Sequence, residues 1–197
     1  VFTSDATTMS APAHFASSSP PGDNSVQDDK IPQAGAVYIF TRSGDTWSQQ
    51  AYIKASNTGR PASLTDPNDW GDGDQFGFSL ALSGDGNVLA VGALSEDSRA
   101  SGINNNAFQN DDTAPDAGAV YIFTRSANTW TQRDYLKSSN NDAGDRFGFS
   151  LALSANGNTL VASSYDEGGS GRGVNTIPDN LRGGTGAAYI FERVNDA

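Results

Sequence analysis

The sequence predicts an all-β protein made of β-propeller blades, each of them a sheet of four antiparallel strands. Three observations predict this fold. The stretch Gln75–Ser83 returns with one substitution as Arg146–Ser154, 71 positions later (146 − 75), so the chain contains repeats. Each repeat divides into short apolar segments bounded by turn residues, which is typical of strands. No window of the sequence sustains the i, i+3, i+4, i+7 apolar spacing of an amphipathic helix.

Four segments make up the repeating period, and each predicts one strand. The first reads Phe-Gly-Phe-Ser-Leu-Ala-Leu-Ser, the second is 87–94 and again 158–165, and the third reads Gly-Ala-Val-Tyr-Ile-Phe at 118–123. The fourth, at 47–54 and 130–137, runs from a tryptophan to a lysine. Segments two and three are almost wholly apolar, as in strands buried on both faces, whereas segment four alternates polar and apolar residues like an edge strand. Together they describe a propeller blade.

The connections between segments differ in length in a regular way. Segments one and two are joined by the short, glycine-containing turns 83–87 and 154–158, which favour tight hairpins. Segments two and three are joined by the long stretches Ser95–Asp116 and Asp166–Thr185. The Ser/Ala/Pro-rich segment Ser10–Lys30 occupies the same place in the first repeat, and we expect it to be a loop on the same rim. Insertions at fixed junctions map to one rim, and such rims are often binding surfaces.

The blades divide the single propeller segment 1–197 into three parts. We expect a partial blade at 1–55, a full blade at 76–138 and a partial blade at 147–193, with ten strands in all. The sequence therefore indicates about two and a half blades, either part of a longer propeller or a subunit whose blades are completed by neighbouring chains.

Charge and composition exclude several classes of partner. The chain has 20 aspartates, three glutamates and 12 lysines and arginines, and its formal net charge is −11. Such a surface repels nucleic acids and anionic lipids, because their recognition depends on lysine and arginine. No apolar stretch approaches the ~18 residues that a membrane span needs, and there is no cysteine. We therefore expect no nucleic-acid binding, no membrane insertion and no thiol chemistry.

The repeated motifs resemble the FG-GAP repeat of integrin α-chain propellers and of their bacterial secreted relatives. The matching parts are Phe76-Gly77, Phe147-Gly148, the following 89–93 (Leu-Ala-Val-Gly-Ala) and the Gly-Ala-Val-Tyr-Ile-Phe strand. The combined pattern is specific, and it covers most of the chain. The resemblance implies a seven-bladed propeller, an extracellular or cell-surface location, and adhesion or ligand binding through loops on one rim.

The resemblance also implies calcium, although this chain departs from the family at the usual place. Repeats of this kind often carry a loop of alternating Asp and Asn ligands between blade strands one and two. Here that place holds only 83–87 (Ser-Gly-Asp-Gly-Asn), which is too short to encircle a cation. We therefore do not expect the family's usual calcium site at this turn.

Two other loops supply candidate calcium ligands. The nine residues 66–74 contain four carboxylates and one amide, and glycines there allow the bend that a cation loop needs. The shorter counterpart in the next repeat lies at 140–145. The alternative is that both are solvated turns at the start of segment one. The candidate ligands are Asp66, Asn68, Asp72, Asp74, Asn140, Asp142 and Asp145.

Aromatic residues and a third polar loop give weaker candidates. Trp47 and Trp130 hold equivalent repeat positions, which favours packing within blades. Trp70 has no counterpart in the other repeats and lies beside the acidic cluster, so it is the candidate ligand-binding residue. The polar loop with Asn104–Asn106 and Asp111-Asp112 is another cation candidate, although such loops are more often only solvated.

The residues do not indicate catalysis. The one histidine, His14, stands in a Ser/Ala/Pro-rich stretch without a partner motif, and a zinc site needs more His or Cys than the chain has. Paired carboxylates of the glycosidase type stay open in an Asp-rich chain, but none stands in a distinguishing pattern. We therefore expect no enzyme and no catalytic residue.

These features predict a secreted or surface-exposed, non-catalytic module that binds a protein or carbohydrate ligand through its long rim loops, with calcium stiffening them. Two alternatives stay open. The first is a structural subunit that self-assembles, its open blades completed by strands of neighbouring chains. The second is an appendage of a secreted hydrolase whose catalytic part lies outside this sequence.

Overall fold

The structure, a computed structural model, describes residues 8–13, 31, 33–59, 73–104, 106–176 and 179–193, with the backbone alone for 8–13 and 106. This part of the chain contains ten strands in three antiparallel sheets, and a 3-10 turn at Asn106–Phe108 is its one helical element. The predicted all-β class is therefore confirmed. The sheets are consistent with propeller blades, and within the described ranges they do not close a ring.

The central sheet has four strands in chain order, which we number from the start of the chain as β4 to β7. They are β4 (Phe76–Leu82), β5 (Val88–Ala93), β6 (Ala119–Ser126) and β7 (Thr129–Leu136). Each strand pairs antiparallel with the next, in the order β4-β5-β6-β7. Segments one to four of the sequence repeat thus form one four-stranded blade.

Each flanking sheet has three strands. The first contains β1 (Thr8–Ala13), β2 (Ala36–Ser43) and β3 (Thr46–Ile53), in the order β1-β2-β3. By register they match strands two to four of the central blade. The last contains β8 (Phe147–Leu153), β9 (Thr159–Ser164) and β10 (Ala187–Glu192), in the order β10-β9-β8, and matches strands one to three.

The expectation that Ser10–Lys30 is a rim loop is wrong for its first residues. Strand β1 includes Ser10 to Ala13, and Pro12 lies opposite Val37 of β2. Proline cannot donate a ladder hydrogen bond, but β1 pairs with β2 alone among the described strands, so its other edge needs no donor there. Residues 14–30 lie outside the described part of the chain.

The core lies on both faces of the central blade. Strand β5 is buried at every position, which explains its continuous run of apolar residues. Leu89 and Val91 pack on one face with Phe76, while Ala90 packs on the other face with Phe147 of the next blade. The sequence prediction for segment two, burial on both faces, is confirmed for β5, whereas in β9 the exposed Val161 shows that one face is only partly covered.

A joint between consecutive blades explains two repeated motifs at once. Phe147 N–H donates to Ala117 O at 2.9 Å, and a Cβ built on Gly118 would lie 2.2 Å from Phe147 O. The preceding joint is the same, with Phe76 N–H donating to Ala34 O at 3.1 Å. The Ala-Gly pair before strand three of one blade therefore contacts the Phe-Gly pair at the start of strand one of the next blade. At Gly118 this contact leaves no room for a side chain larger than hydrogen.

Candidate ligand-binding rim

The long connections lie on one rim because the strands alternate in direction. Strand two ends, strand three begins, strand four ends and the next strand one begins at the same side of the sheets. Hydrogen bonds join these connections: Ser95 N–H donates to Asp74 O at 3.2 Å, and Asp166 N–H donates to Asp145 O at 3.2 Å. We call this side the long-loop rim; the hairpins at 44–45 and 127–128 lie on the opposite rim.

The connection from β5 to β6 is fastened to neighbouring elements along its length. Gly118 N–H donates to Glu96 O at 2.8 Å, which closes the base of the loop. The loop then passes along the outer edge of β7, where Lys137 N–H donates to Gly102 O at 2.9 Å and Asn104 N–H donates to Tyr135 O at 2.8 Å. These backbone bonds hold the loop against strand four, so the rim is a fixed surface along this stretch.

A buried carboxylate, Glu96, stands under the loop. Lys137 Nζ donates to Glu96 Oε2 at 2.7 Å, and the lysine and glutamate side chains are 0% and 1% exposed. Tyr135 OH donates to Oε1 at 2.7 Å, and Asn57 Nδ2 donates to the same oxygen at 2.9 Å. Ser98 N–H donates to Oε2 at 3.2 Å. The carboxylate therefore ties strand four, the rim loop and the preceding blade together.

Burial changes the pKa values of the groups around Glu96. Loss of solvation lowers the pKa of Lys137, and the adjacent Glu96 carboxylate opposes this effect. Loss of solvation, together with the charge of Glu96, raises the pKa of Tyr135, so this hydroxyl keeps its proton and acts as a donor. The arrangement is suited to holding structure, because the tyrosine and the lysine both donate hydrogen bonds to the buried carboxylate.

Asp74, one of the predicted calcium ligands, lies beside this cluster and not on the surface. Its side chain is 1% exposed, and its Oδ2 has no hydrogen-bond partner among the described residues. Loss of solvation and the charges of Glu96 and Asp97 raise its pKa well above the ordinary value.

The predicted ligands Asn140, Asp142 and Asp145 share one turn of the next repeat. Asn140 Nδ2 donates to Glu167 Oε1 at 2.6 Å, which is the contact that Asn57 makes with Glu96 one repeat earlier. Asp142 N–H donates to Asp145 Oδ2 at 2.7 Å. Burial raises the pKa of Asp145 to about 6. The side-chain amide of Asn140 therefore directs its NH2 group, and not its oxygen, towards Glu167.

The remaining predicted site residues cannot be placed. Asp66, Asn68, Trp70 and Asp72 all lie in the stretch 60–72, outside the described residues. Within the described residues, no group of three or more His, Cys, Asp or Glu side chains is arranged to hold a metal ion. The calcium site of loop 66–74 and the ligand contact at Trp70 stay predictions.

The short turn after strand one is closed by its own side chains. Asp85 Oδ1 accepts from Ser83 Oγ at 2.6 Å and from Asn87 N–H at 3.0 Å. These hydrogen bonds lower the pKa of Asp85, with the Ser83 hydroxyl contributing most. The carboxylate serves the turn itself, in keeping with a hairpin too short to surround a cation.

Arg99 and Phe108 form an exposed cation–π pair within the connection between β5 and β6. The Cζ atom of Arg99 is 4.6 Å from the ring centroid of Phe108, and its Nε is 2.9 Å from Asp111 Oδ2. The side chain of Arg99 is 57% exposed and Phe108 is 38% exposed. Asp111 therefore orients the guanidinium over the ring, where both remain accessible. Asn104, from the same polar loop, instead bonds Tyr135 N–H and Asp134 within the fold.

The comparison with family models supports the repeat seen in the structure. Residues 59–123 match the model of the FG-GAP repeat, a stretch that includes β4, β5, the long connection between β5 and β6, and β6 as far as Phe123. The stretch 59–123 is an FG-GAP repeat. This repeat is a module of integrin-α-like propellers, and in this chain it carries the Phe76-Gly77 motif, Glu96 and the Arg99–Phe108 pair. No curated protein matches the chain.

Sequence reasoning missed the two buried glutamates of the FG-GAP repeat and its successor. Glu96 and Glu167 are 71 positions apart (167 − 96), the same spacing as the Phe-Gly motifs, and the chain has only three glutamates. That shared spacing was the available signal. The spacing alone does not indicate a buried carboxylate, because an acidic residue in a polar loop is ordinarily solvated.

The described residues contain no helix long and apolar enough to span a membrane.

Proposed function

We propose that this chain is a non-catalytic, extracellular binding module that holds a protein or carbohydrate ligand on its long-loop rim. The carrying observation is the Arg99–Phe108 pair, which is exposed on a loop that is otherwise hydrogen-bonded to strand four and to the preceding blade. Aromatic residues and arginine are the types most enriched at interface hot spots. A fixed loop also loses little conformational entropy on binding.

Several features support this proposal. The FG-GAP repeat is a propeller module, and its loops connect blades that have packed cores. Asn57 Nδ2 donates to Gln109 O at 2.9 Å, so the loop crest is fixed from the preceding blade as well. The scarcity of histidine and the absence of cysteine favour binding over catalysis. Calcium at loop 66–74 would stiffen the adjacent stretch of the same rim, and that role belongs to the proposal.

The test compares two exposed arginine–aromatic pairs on opposite rims. Arrays of purified glycans and of secreted and surface proteins would first identify a ligand of the full chain. The variants Arg99→Ala and Phe108→Ala should each weaken that binding at least about tenfold, since hot-spot truncations cost more than ~1.4 kcal/mol. The matched controls Arg42→Ala and Trp47→Ala disrupt a similar pair at 5.9 Å, with Trp47 39% exposed, on the opposite rim.

The controls decide the interpretation. Ligand affinity unchanged in the Arg99 and Phe108 variants, with the Arg42 or Trp47 variants impaired, would place binding on the opposite rim and contradict the proposal. Unfolding midpoints of all four variants, measured by urea denaturation, confirm that the comparison concerns binding and not folding.

A further inference from the structure

The turn between β8 and β9 contains the one Asn-Gly dipeptide of the sequence, Asn156-Gly157. It lies on the rim opposite the long-loop rim, and Asn156 is exposed. Asparagine before glycine is especially prone to deamidation, because glycine has no Cβ to hinder attack by its own backbone nitrogen. The dipeptide is therefore a candidate modification site, and its chemistry needs no ligand on the Arg99–Phe108 loop.

Ser154 closes this turn through both its backbone and its side chain. Gly157 N–H donates to Ser154 O at 2.9 Å, and Ser154 Oγ donates to Asn156 Oδ1 at 2.7 Å. The same side-chain oxygen of Asn156 accepts from Asn158 N–H at 3.1 Å, while Thr159 N–H donates to Ser154 Oγ at 2.9 Å. Both groups that react in deamidation, the Gly157 nitrogen and the Asn156 side-chain carbonyl, are thus engaged while the turn is closed.

The complete blade has an aspartate at the matching place in its own turn. Asp85 Oδ1 accepts from Ser83 Oγ at 2.6 Å and from Asn87 N–H at 3.0 Å, and Gly86 N–H donates to Ser83 O at 3.0 Å. These are the hydrogen bonds of the Asn156 turn with a carboxylate in place of the amide, and all of them lie within the turn. The turn therefore accepts either side chain in one conformation.

We propose that Asn156 is a site of spontaneous deamidation, and that the closed turn limits its rate through Ser154. In the open turn, the Gly157 nitrogen attacks Asn156 Cγ and forms a cyclic imide. The bond from Cγ to Nδ2 breaks, and ammonia leaves with the proton of the Gly157 nitrogen. Water then opens the imide to aspartate or isoaspartate. The aspartate product closes into the turn that Asp85 makes, whereas isoaspartate adds a carbon to the backbone and disturbs the register of the turn.

Opening of the turn has to precede the reaction, because a backbone N–H that is bonded within the fold reacts only from a locally open conformation. The Ser154 hydroxyl holds the Asn156 side chain and also accepts from the N–H groups of Asn158 and Thr159. Its removal leaves these three groups without their shared partner. The turn then opens more often, and deamidation becomes faster.

The test follows the full chain at mildly alkaline pH by peptide mapping with mass spectrometry, which detects the exchange of an amide for a carboxyl at Asn156. A synthetic peptide of residues 153–160, Leu-Ser-Ala-Asn-Gly-Asn-Thr-Leu, gives the rate without the fold. The unaltered chain should convert at least about tenfold more slowly than the peptide, and Ser154→Ala in the chain should recover most of that difference. Peptides with serine or alanine at this position should convert at equal rates, so that the effect belongs to the fold.

Three further variants serve as controls. Ser150→Ala removes a hydroxyl from an exposed position of β8 and should leave the rate unchanged. Gly118→Ala weakens the joint between blades and keeps the turn, so it should accelerate conversion less than Ser154→Ala does. Asn156→Asp supplies the aspartate product directly, and its urea midpoint should equal that of the unaltered chain.

Four results would overturn the proposal: conversion of the unaltered chain at the rate of the peptide, conversion of Ser154→Ala no faster than that of Ser150→Ala, equal acceleration by Gly118→Ala, or a lowered urea midpoint for Asn156→Asp. The comparison of the unaltered chain with the peptide keeps the test valid even if Ser154→Ala fails to fold.

Discussion

Lys137 and Glu96 form an ion pair of 2.7 Å in which neither side chain reaches solvent. The lysine follows strand four, and the glutamate begins the rim connection after strand two, so the pair joins these two strands on the long-loop rim. Breaking a buried pair by removing one partner typically costs about 3–5 kcal/mol, because the other charge is left buried alone. The pair is therefore a stability determinant of the blade that presents the Arg99–Phe108 loop.

Replacing the lysine tests this dependence. Lys137→Met should lower the free energy of unfolding by about 3 kcal/mol, as measured by urea denaturation. The control Arg133→Met removes a cation from strand four itself, where Arg133 pairs with Asp134 at 3.4 Å and is 38% exposed. Exposed pairs contribute about 0–1 kcal/mol, so the control should change little. Equal losses in the two variants would show that burial of the pair is not what matters.

The joint between blades predicts a second mutational effect. Gly118→Ala should destabilise the chain by at least about 2 kcal/mol, because φ is +79° and the new Cβ would come within 2.2 Å of Phe147 O. Gly183→Ala is the matched control, since a Cβ at Gly183 meets nothing within 4 Å. Thermal and urea unfolding of both variants provide the measurement. If Gly118→Ala is as stable as Gly183→Ala, the close contact does not hold the blades together.

Asp145 predicts a dependence of stability on pH. Its pKa is about 6 in the folded chain and 3.8 ordinarily, so folding favours the protonated form. Its contribution is fully present below about pH 4 and is lost as pH rises through 6, by roughly 2–3 kcal/mol. Asp85 has a lowered pKa and acts in the opposite sense, but only towards pH 4 and below.

The measurement is the urea midpoint between pH 4.5 and 7.5 in the presence of a chelator. Asp145→Asn should remove the part of the slope that this carboxyl causes. The pKa of Asp74 is also raised, chiefly by burial, so this carboxyl makes stability fall with rising pH in the same way. Some dependence of stability on pH should therefore remain in the Asp145→Asn variant. A slope unchanged by Asp145→Asn would contradict the assignment.

If calcium binds, it should raise the stability of the chain, and variants of the two candidate loops should show which loop holds the ion. Calcium at a hundred times its dissociation constant should stabilise the chain by about 2.7 kcal/mol, and a chelator should reverse this. Asp72→Asn should abolish the shift if loop 66–74 holds the ion, and Asp142→Asn should do so if the 140–145 turn holds it. The control Asp45→Asn lies in an exposed hairpin of the opposite rim and should leave the shift unchanged. An unaltered melting temperature with calcium would rule out both loops.

The fold could be predicted from the sequence because its signal is local and repeated. The Phe-Gly and Ala-Gly motifs, the alternation of segment four and the short turns each specify one strand or connection, and all agree. The sequence did not show why the motifs recur. The structure supplies the reason, since Gly118 and Phe147 belong to different blades and meet only after folding.

The site was harder to predict than the fold, for a physical reason. Whether a loop carboxylate is solvated or buried depends on contacts between distant segments, such as Lys137 with Glu96 over 41 positions. The predicted calcium ligand Asp74 is 1% exposed, while the predicted ligand Asn140 supports Glu167 through its amide. The Arg99–Phe108 pair depends on a loop conformation that no periodicity encodes.

The joint at Gly118 and Phe147 also has a consequence for how the chain opens. Strand one of a blade takes its first hydrogen bonds from the preceding blade, through Arg146 N–H to Asp116 O and Phe147 N–H to Ala117 O. Opening of strand one is therefore coupled to the preceding blade as well as to strand two of its own sheet. Amide exchange at Phe147 should accordingly follow that of β6.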